Sequence, residues 1–515
     1  MNALLEDMAA KGVDVDLTLS ILEDYNSGLH DSALPVKATG VPAIDGHTVV
    51  SLAGRSGVSH SPGESPPLAY SVPPRRAREM LGRLGIHLPD STEVEARAGE
   101  TVFGLDALEE IGTALLGRTA FGVLNGGSAT SYADLKRNLA FGQGVFDALE
   151  PWYRAIAPLC KDEPKGLTPA YLEPDGSPGA SFLLLKMRAR LMAAAAAKRR
   201  GEKVDDSFMP LFQMTSVSND DRLTEAYDDY RRHPFIESLA GRLGMDGARW
   251  ATGVQPMIAA YTHSSEGRPK RVFDRANGGH DSALALPGGH GQCFRVLAQT
   301  FRALREFGMR FAYLGNVDNI GYLPDPVELA VFALSGLPAA FDFSVRTPMD
   351  VKGGILVDSE GGGRTIADIG PAITFDEVQR LEAGGSPILF NCAIGLFDLD
   401  TLVPRLDEIG RGLPVRFTDQ DKEAGRYSQA EQVTWEVAGM LPGFLAFAVD
   451  KYDRFVAAKL LAETLLTSGA AAGDPRIPAD LADTSRRLNS ALERKLAGPC
   501  GLERRSGRWV ANDPR

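Results

Sequence analysis

Residues 294–319 read FRVLAQTFRALREFGMRFAYLGNVDN, and the two halves of this stretch have different periods. Up to Arg310 the apolar side chains recur at helical spacing. From Phe311 they run together through Leu314, as in a strand covered on both faces. A helix feeding a buried strand with a polar tip is the building unit of an α/β sheet. The same texture recurs upstream. GRTAFGVLNGG (117–127) reads as a buried strand entering a Gly turn, and MPLFQMTS (209–216) as a short strand. SFLLLKMRARLMAAAAAKRRG (181–201) reads as a long Ala- and Leu-rich helix with a basic end suited to its C-terminal dipole. Strands alternating with helices predict a largely parallel sheet, with ligands at the carboxyl ends of the strands where the polar tips lie.

Outside this stretch the texture changes. LTLSILEDYNSGL (17–29) and RRAREMLGRLGI (75–86) read as helices on either side of a loop rich in Gly, Ser and Pro from Gly54 to Pro74. After Ser428 the pattern reads as mainly helical, broken near Pro442 and Gly443, with a solvated amphipathic helix over 477–498. The expected organisation is therefore a helical and loop region over 1–106, a central domain over 107–427, and a mainly helical region over 428–515.

Bulk properties narrow the function. A chain of 515 residues is long enough for about three units of typical domain size. With 55 basic against 67 acidic residues its formal charge is −12, which argues against general binding to nucleic acid or anionic lipid. No apolar run of membrane-spanning length occurs. The start, MNALLEDMAAKGVDVD, lacks the basic-then-apolar order of a signal peptide, so a cytoplasmic location is expected. Cys160, Cys293, Cys392 and Cys500 stand singly, which supports neither a disulfide framework nor a structural zinc.

Five short segments are suited to chemistry. VLNGGSATS (123–131) lets backbone approach a nucleotide and turn amides toward phosphates, although a Gly-rich turn also has a purely structural explanation; no GK[ST] follows, so it is no Walker A loop. LPGGHGQCF (286–294) puts His290 in a tight loop. NVDN (316–319) sets Asp318 just past a strand, where one carboxylate suits a Mg²⁺ already bound by phosphates, or simply caps the turn. DVKGG (350–354) and DRFVAAK (453–459) each offer a lysine.

Taken in order, and with PLFQMTSVSND (210–220) and ILFNC (388–392), these segments resemble the UDP-glucose pyrophosphorylase family, which includes the UDP-N-acetylhexosamine enzymes. The resemblance runs from about Gly122 to Lys459. It implies a Rossmann-like, GT-A-like nucleotide-diphospho-sugar transferase fold: a mixed, mainly parallel sheet with flanking helices, plus helical N- and C-terminal regions. It implies that Leu124, Asn125, Gly126 and Gly127 hold uracil and ribose, with Gly289 and His290 beside the nucleotide. Asp318 would be the Mg²⁺ carboxylate. Asn316, Gly354, Asp368 and Asn391 would face the sugar, and Lys459 the phosphates. The family's loop continues as LGTSMG and a Gly-Pro-Lys where this chain has SATSYADLKRN, so Lys136 is the expected substitute, with Lys352 a further cation. His263, in YTHSS, is the expected stand-in for a uracil-reading glutamine. The second Asn of the family's FNTNN segment is absent, and the helical tail has no counterpart of the family's β-helix.

The resemblance implies that UTP and a sugar 1-phosphate give a UDP-sugar and pyrophosphate with Mg²⁺ assistance. Glucose 1-phosphate is the first expectation, from NVDNIG and VKGG. Gly288 resembles the N-acetylhexosamine branch and His290 the glucose branch, so an acetamido sugar or a broad specificity stays open. So does a homologue that binds UDP-sugar without catalysis, motivated by the altered loop after Gly127, and an unrelated interaction protein, supported only by the helical tail.

Overall fold

The strand anticipated after the 294–310 helix forms at Phe311–Asn316 and lies inside an 11-stranded sheet. The structure is a computed structural model describing residues 2–29, 36–52, 68–87, 94–97, 99–127, 129, 132–347, 350 and 353–514. In chain order the sheet strands are β1 (Ala38–Gly40), β2 (Val49–Ser51), β3 (Thr119–Leu124), β4 (Leu211–Ser216), β5 (Trp250–Gln255), β6 (Phe311–Asn316), β7 (Ala339–Val345), β8 (Gly354–Ser359), β9 (Arg364–Asp368), β10 (Leu389–Asp398) and β11 (Leu445–Val449). Their order across the sheet is β2-β11-β7-β10-β6-β3-β4-β5, with β8 joined to β10 and carrying β9 and β1.

Parallel pairing links β3 to β4 and β6, β4 to β5, and β11 to β2 and β7. β10 runs against both β6 and β7. The carboxyl ends of β3 to β7 and β11 therefore gather along one edge, together with the start of β10. Alternation along β3 explains why this strand is central. Phe121 and Val123 join one apolar cluster, and Ala120 and Leu124 join the cluster on the other face. The helices Leu105–Leu115 and Phe182–Arg199 fill the first cluster, and Ala298–Glu306 packs in the second.

Phe182–Arg199 buries three cations, Lys186, Arg188 and Arg190. Each finds carbonyls: Arg188 holds those of Phe235, Cys500 and Gly501, and Arg190 those of Asp206, Phe208, Met209 and Asp246. Among the described residues no helix is long and apolar enough to cross a membrane.

The flanking regions differ from the expectation. The stretch after Ser428 is not mainly helical at its start, because it contains most of the strand Gly425–Gln432 and all of β11. LAFAV is a five-residue apolar run buried on both faces, and periodicity alone does not separate such a run from buried helix. Residues 502–511 form a hairpin turning at Ser506 and Gly507. On the N-terminal side β1 and β2 enter the sheet, and Ala69–Val72, Val94–Arg97 and Glu100–Gly104 form a small sheet of their own. Strands from 1–106 and from 428–515 thus share the central sheet. Most of the Gly/Ser/Pro loop lies outside the described residues.

Gly112 tests the packing of the first face. A Cβ there would meet the Pro326 carbonyl oxygen at 1.6 Å, an obstacle that is backbone. Helix propensity alone favours Ala by about 1 kcal/mol, but the backbone of the packed helix Pro326–Ser335 cannot move away cheaply. Gly112→Ala is expected to lose about 1–3 kcal/mol in urea unfolding.

Candidate active site

The parallel pair β3/β6 builds the site. Its register sets Leu124 opposite Asn316, so the Gly loop after β3 and the turn after β6 leave the sheet side by side. Val317 N–H donates to the Leu124 carbonyl at 3.3 Å, tying the two together. Asn125 is fully buried. Its Nδ2 donates to Gln213 Oε1 (3.3 Å), its Oδ1 accepts from Gly166 N–H (3.2 Å), and its carbonyl accepts from Asn219 Nδ2 (3.1 Å). Its side chain thus shapes the loop, while Gly126 and Gly127 carry the backbone outward.

The loop after Gly127 closes on itself. Ala129 N–H donates to the Glu163 carbonyl and Lys165 N–H to that of Gly127. The chain between, including the helix Gln143–Cys160, is an excursion that returns to its starting point. It delivers Lys165, whose Nζ lies 2.7 Å from Asp318 Oδ2, both side chains being mostly covered. Lys136, the expected substitute, is exposed on Leu135–Asn138. Lys165 is the cation on Asp318, and the Pro164-Lys165 pair was the available signal, hidden by the inserted helix.

Asp318 is held from two further directions. Its carbonyl accepts from Ala458 N–H at 3.2 Å, and Asn319 bridges to Ala457, which brings the 457–459 segment alongside. Lys459 is exposed there, its N–H bonded to Glu463 Oε2 at 2.6 Å. Burial raises the Glu463 pKa, opposed by the Leu460 and Lys459 amides and by the charges of Lys165 and Lys459. From within the core, Lys186 Nζ donates to the carbonyls of Asn319 (3.0 Å) and Tyr322 (2.9 Å) and lies 4.7 Å from the Tyr322 ring. Burial pushes its ammonium down to about 7.

The glycine loop around His290 joins from β5. Gln255, the last residue of β5, is buried; its Nε2 donates to the Gly289 carbonyl at 2.8 Å, and its Oε1 is 3.1 Å from where a Gly126 Cβ would sit. Gly289 has φ 84°, and a Cβ on it would meet the Gln432 carbonyl oxygen at 2.4 Å, so the turn requires glycine. His290 Nδ1 accepts from Thr434 N–H (3.1 Å), which leaves the proton of the neutral ring on Nε2. Burial, aided by the nearby charge of Lys459, lowers its pKa from 6.5 to about 4. His263 is elsewhere: it bonds Ser265 and faces Asp419 at 3.6 Å. Gln255, a few residues before YTHSS, reaches both loops.

The residues expected at the sugar form a second patch on the same edge. Gly354 pairs with Asp368 across β8 and β9, and Phe390, next to Asn391, pairs with Ile355. Asn391 Oδ1 accepts from Ala393 N–H at 3.0 Å. Ala393 occupies a left-handed conformation (φ 54°) where β10 bulges against β7. Asp350 anchors the preceding loop through Lys451 at 2.5 Å. Lys352 lies outside the described residues.

With this geometry in view, residues 270–371 match the family profile described as UTP--glucose-1-phosphate uridylyltransferase, a span that holds His290, Asn316, Asp318, Gly354 and Asp368. A UDP-glucose phosphorylase structure from Trypanosoma brucei is 18% identical, covering 99% of this chain and 81% of its own, with a TM-score of 0.51. More distant in shape are a UDP-glucose pyrophosphorylase from Leishmania major (17% identity, 76% and 73% covered, TM-score 0.48) and a putative UDP-N-acetylglucosamine pyrophosphorylase from Entamoeba histolytica (16%, 68% and 77%, 0.47). No curated protein matches by sequence. The chain shares its fold with the Trypanosoma brucei structure. Over residues 270–371 the chain is similar to the UTP--glucose-1-phosphate uridylyltransferases.

The lowered pKa of His290 has a measurable consequence. Between about 4 and 6.5 the unfolded chain binds a proton at this position that the native state refuses, so native stability falls as pH drops through that window and is regained above 6.5. The His290 ring resonances should show no titration between pH 5.5 and 8, whereas a midpoint near 6.5 would contradict the Thr434 geometry.

Proposed function

We propose that the protein transfers the uridylyl group of UTP to a sugar 1-phosphate, most simply glucose 1-phosphate, releasing pyrophosphate. The observation that carries this reading is the Lys165–Asp318 pair at the mouth of the Gly loop, 2.7 Å apart, with Lys459 brought alongside by the 457–459 segment. Glycine backbone, a carboxylate and two lysines are the groups that position and neutralise a transferring phosphoryl group.

In this reading an oxygen of the sugar phosphate attacks the α-phosphorus of UTP in line. The new P–O bond forms as the bond to the bridging oxygen breaks, and pyrophosphate leaves on the far side. The attacking oxygen is already ionised near neutral pH, so no protein base takes a proton. Lys165 and Lys459 offset the charge that builds on the transferred group. Gln255 and the Leu124–Gly127 backbone hold the base, the amide Oε1 beside Gly126 being suited to accept from the uracil N–H. His290, neutral with its proton on Nε2, donates to a phosphate or sugar oxygen without adding charge.

The residues also fit a Mg²⁺ ion. Among the described residues no group of three or more ligating side chains exists, so none would hold a metal unaided. Asp318 is a single carboxylate that already attracts a cation, the Lys165 ammonium. One carboxylate suits a Mg²⁺ that brings phosphate oxygens as its other ligands. Bound there with Asp318, Mg²⁺ would supply charge neutralisation on the phosphates.

Lys165 at the Gly loop also supports catalysis over a binding-only homologue, since the altered loop that motivated that alternative returns the lysine to the site. Gly288 beside His290 favours one second reading, that an acetamido sugar is taken as well as or instead of glucose.

The test is pyrophosphate release from UTP and Mg²⁺ with a panel of sugar 1-phosphates. Lys165→Met is expected to lower turnover by about two to three powers of ten, and Lys136→Met to leave it within about twofold of the unmutated protein. A near-normal Lys165→Met enzyme would remove that lysine from the mechanism. Asp318→Asn should abolish the Mg²⁺-dependent rate.

A further inference from the structure

On the sugar side of the site three charged residues meet that the sequence reading did not join. Arg416, on the strand Val415–Lys422, lies between two carboxylates: Nη1 donates to Asp368 Oδ2, and Nε to Glu436 Oε1 at 2.6 Å. Asp368 closes β9 opposite Gly354, and its Oδ1 is 3.8 Å from where a Gly354 Cβ would sit. Glu436 stands two residues beyond Thr434, the partner of His290. It is 8% exposed, and its buried Oε2 meets no hydrogen-bond partner. The three side chains thus span the space between the His290 loop and the Gly354 segment, with two carboxylates against one guanidinium. Lys451 is engaged with Asp350.

Resting on the uridylyltransferase reading, we infer that Arg416, Asp368 and Glu436 form one wall of the sugar pocket, a wall that admits neutral hexose 1-phosphates and rejects those carrying a carboxylate on the ring. A guanidinium already forked between two carboxylates has its charge spent. What the wall offers a ligand is acceptor oxygen, from Asp368 Oδ1, and sugar hydroxyls are donors; the buried Glu436 Oε2 adds negative charge behind it. A uronate would bring a third negative charge to a partly desolvated place holding one positive charge, where like charges are poorly screened. Arg416 is a positioning residue here: by taking Oδ2 of Asp368 it leaves Oδ1 turned toward Gly354.

The experiment compares glucose 1-phosphate with glucuronate 1-phosphate in the pyrophosphate-release assay, and UDP-glucose with UDP-glucuronate by calorimetry, which needs no turnover. The unmutated protein should favour the neutral member at least about tenfold in both. Glu436→Gln, which keeps the shape and removes one charge, should narrow that preference. Arg416→Met should raise KM for glucose 1-phosphate about tenfold while leaving KM for UTP unchanged, with part of the loss restored in Arg416→Lys. Equal affinity for the two UDP-sugars, or an Arg416→Met effect shared equally by UTP, would overturn the inference. No turnover with any sugar phosphate would instead count against the transferase reading, while the calorimetric pair would still decide the wall.

Discussion

The pairing of β3 with β6 is the constraint on which the rest depends. Both strands are buried on both faces, so a slip of one residue would turn every side chain into the wrong apolar cluster. That register makes Leu124 and Asn316 neighbours, and hence places Asn125–Gly127 and Asp318 in one small volume. The Lys165–Asp318 pair then closes the volume, and its value is positional. Desolvating two charges consumes much of what their attraction supplies, yet leaving either one alone in so covered a place would cost about 3–5 kcal/mol. The pair therefore strongly favours the return of the 130–162 excursion to its starting point.

Irregular loops at both ends of the sheet are held from within the core by an unusual device. The helix Phe182–Arg199 buries Lys186, Arg188 and Arg190, and each donates to backbone carbonyls of irregular chain, Arg188 bonding the Asp513 carboxylate as well. Buried carbonyls must be satisfied, and irregular loops cannot always satisfy themselves. A cation on a long stem does so from inside a packed helix. Lys186 works on the turn just after Asp318, so the rigidity of the site is inherited from the core.

Much of this was legible in the residues. The strands at 119–124, 211–216 and 311–316 declare themselves because apolar runs of strand length are bounded by polar tips. The helices at 15–27, 74–84 and 479–497 declare themselves by their period. The Gly loop, the His290 loop and Asp318 were readable from composition at strand ends. β11 was not, because LAFAV carries no period that separates strand from buried helix. Lys165 was not, because an inserted helix displaces it far along the chain from the loop it serves. Gln255 was not, because as the final residue of a strand it looks like any polar tip until the His290 loop folds over it.

The sequence by itself determined the class of fold, the carboxyl edge as the place of the candidate site, and most of the glycine backbone that builds it. These are local properties, written in periodicity and in glycine at turns. Only the tertiary structure decided which lysine meets Asp318, which side chain lies against Gly126, and that Arg416 joins Asp368 to Glu436. Each of these joins residues brought together from distant parts of the chain. Their partnership arises from strand order and loop closure, and no short-range pattern in a single sequence records that.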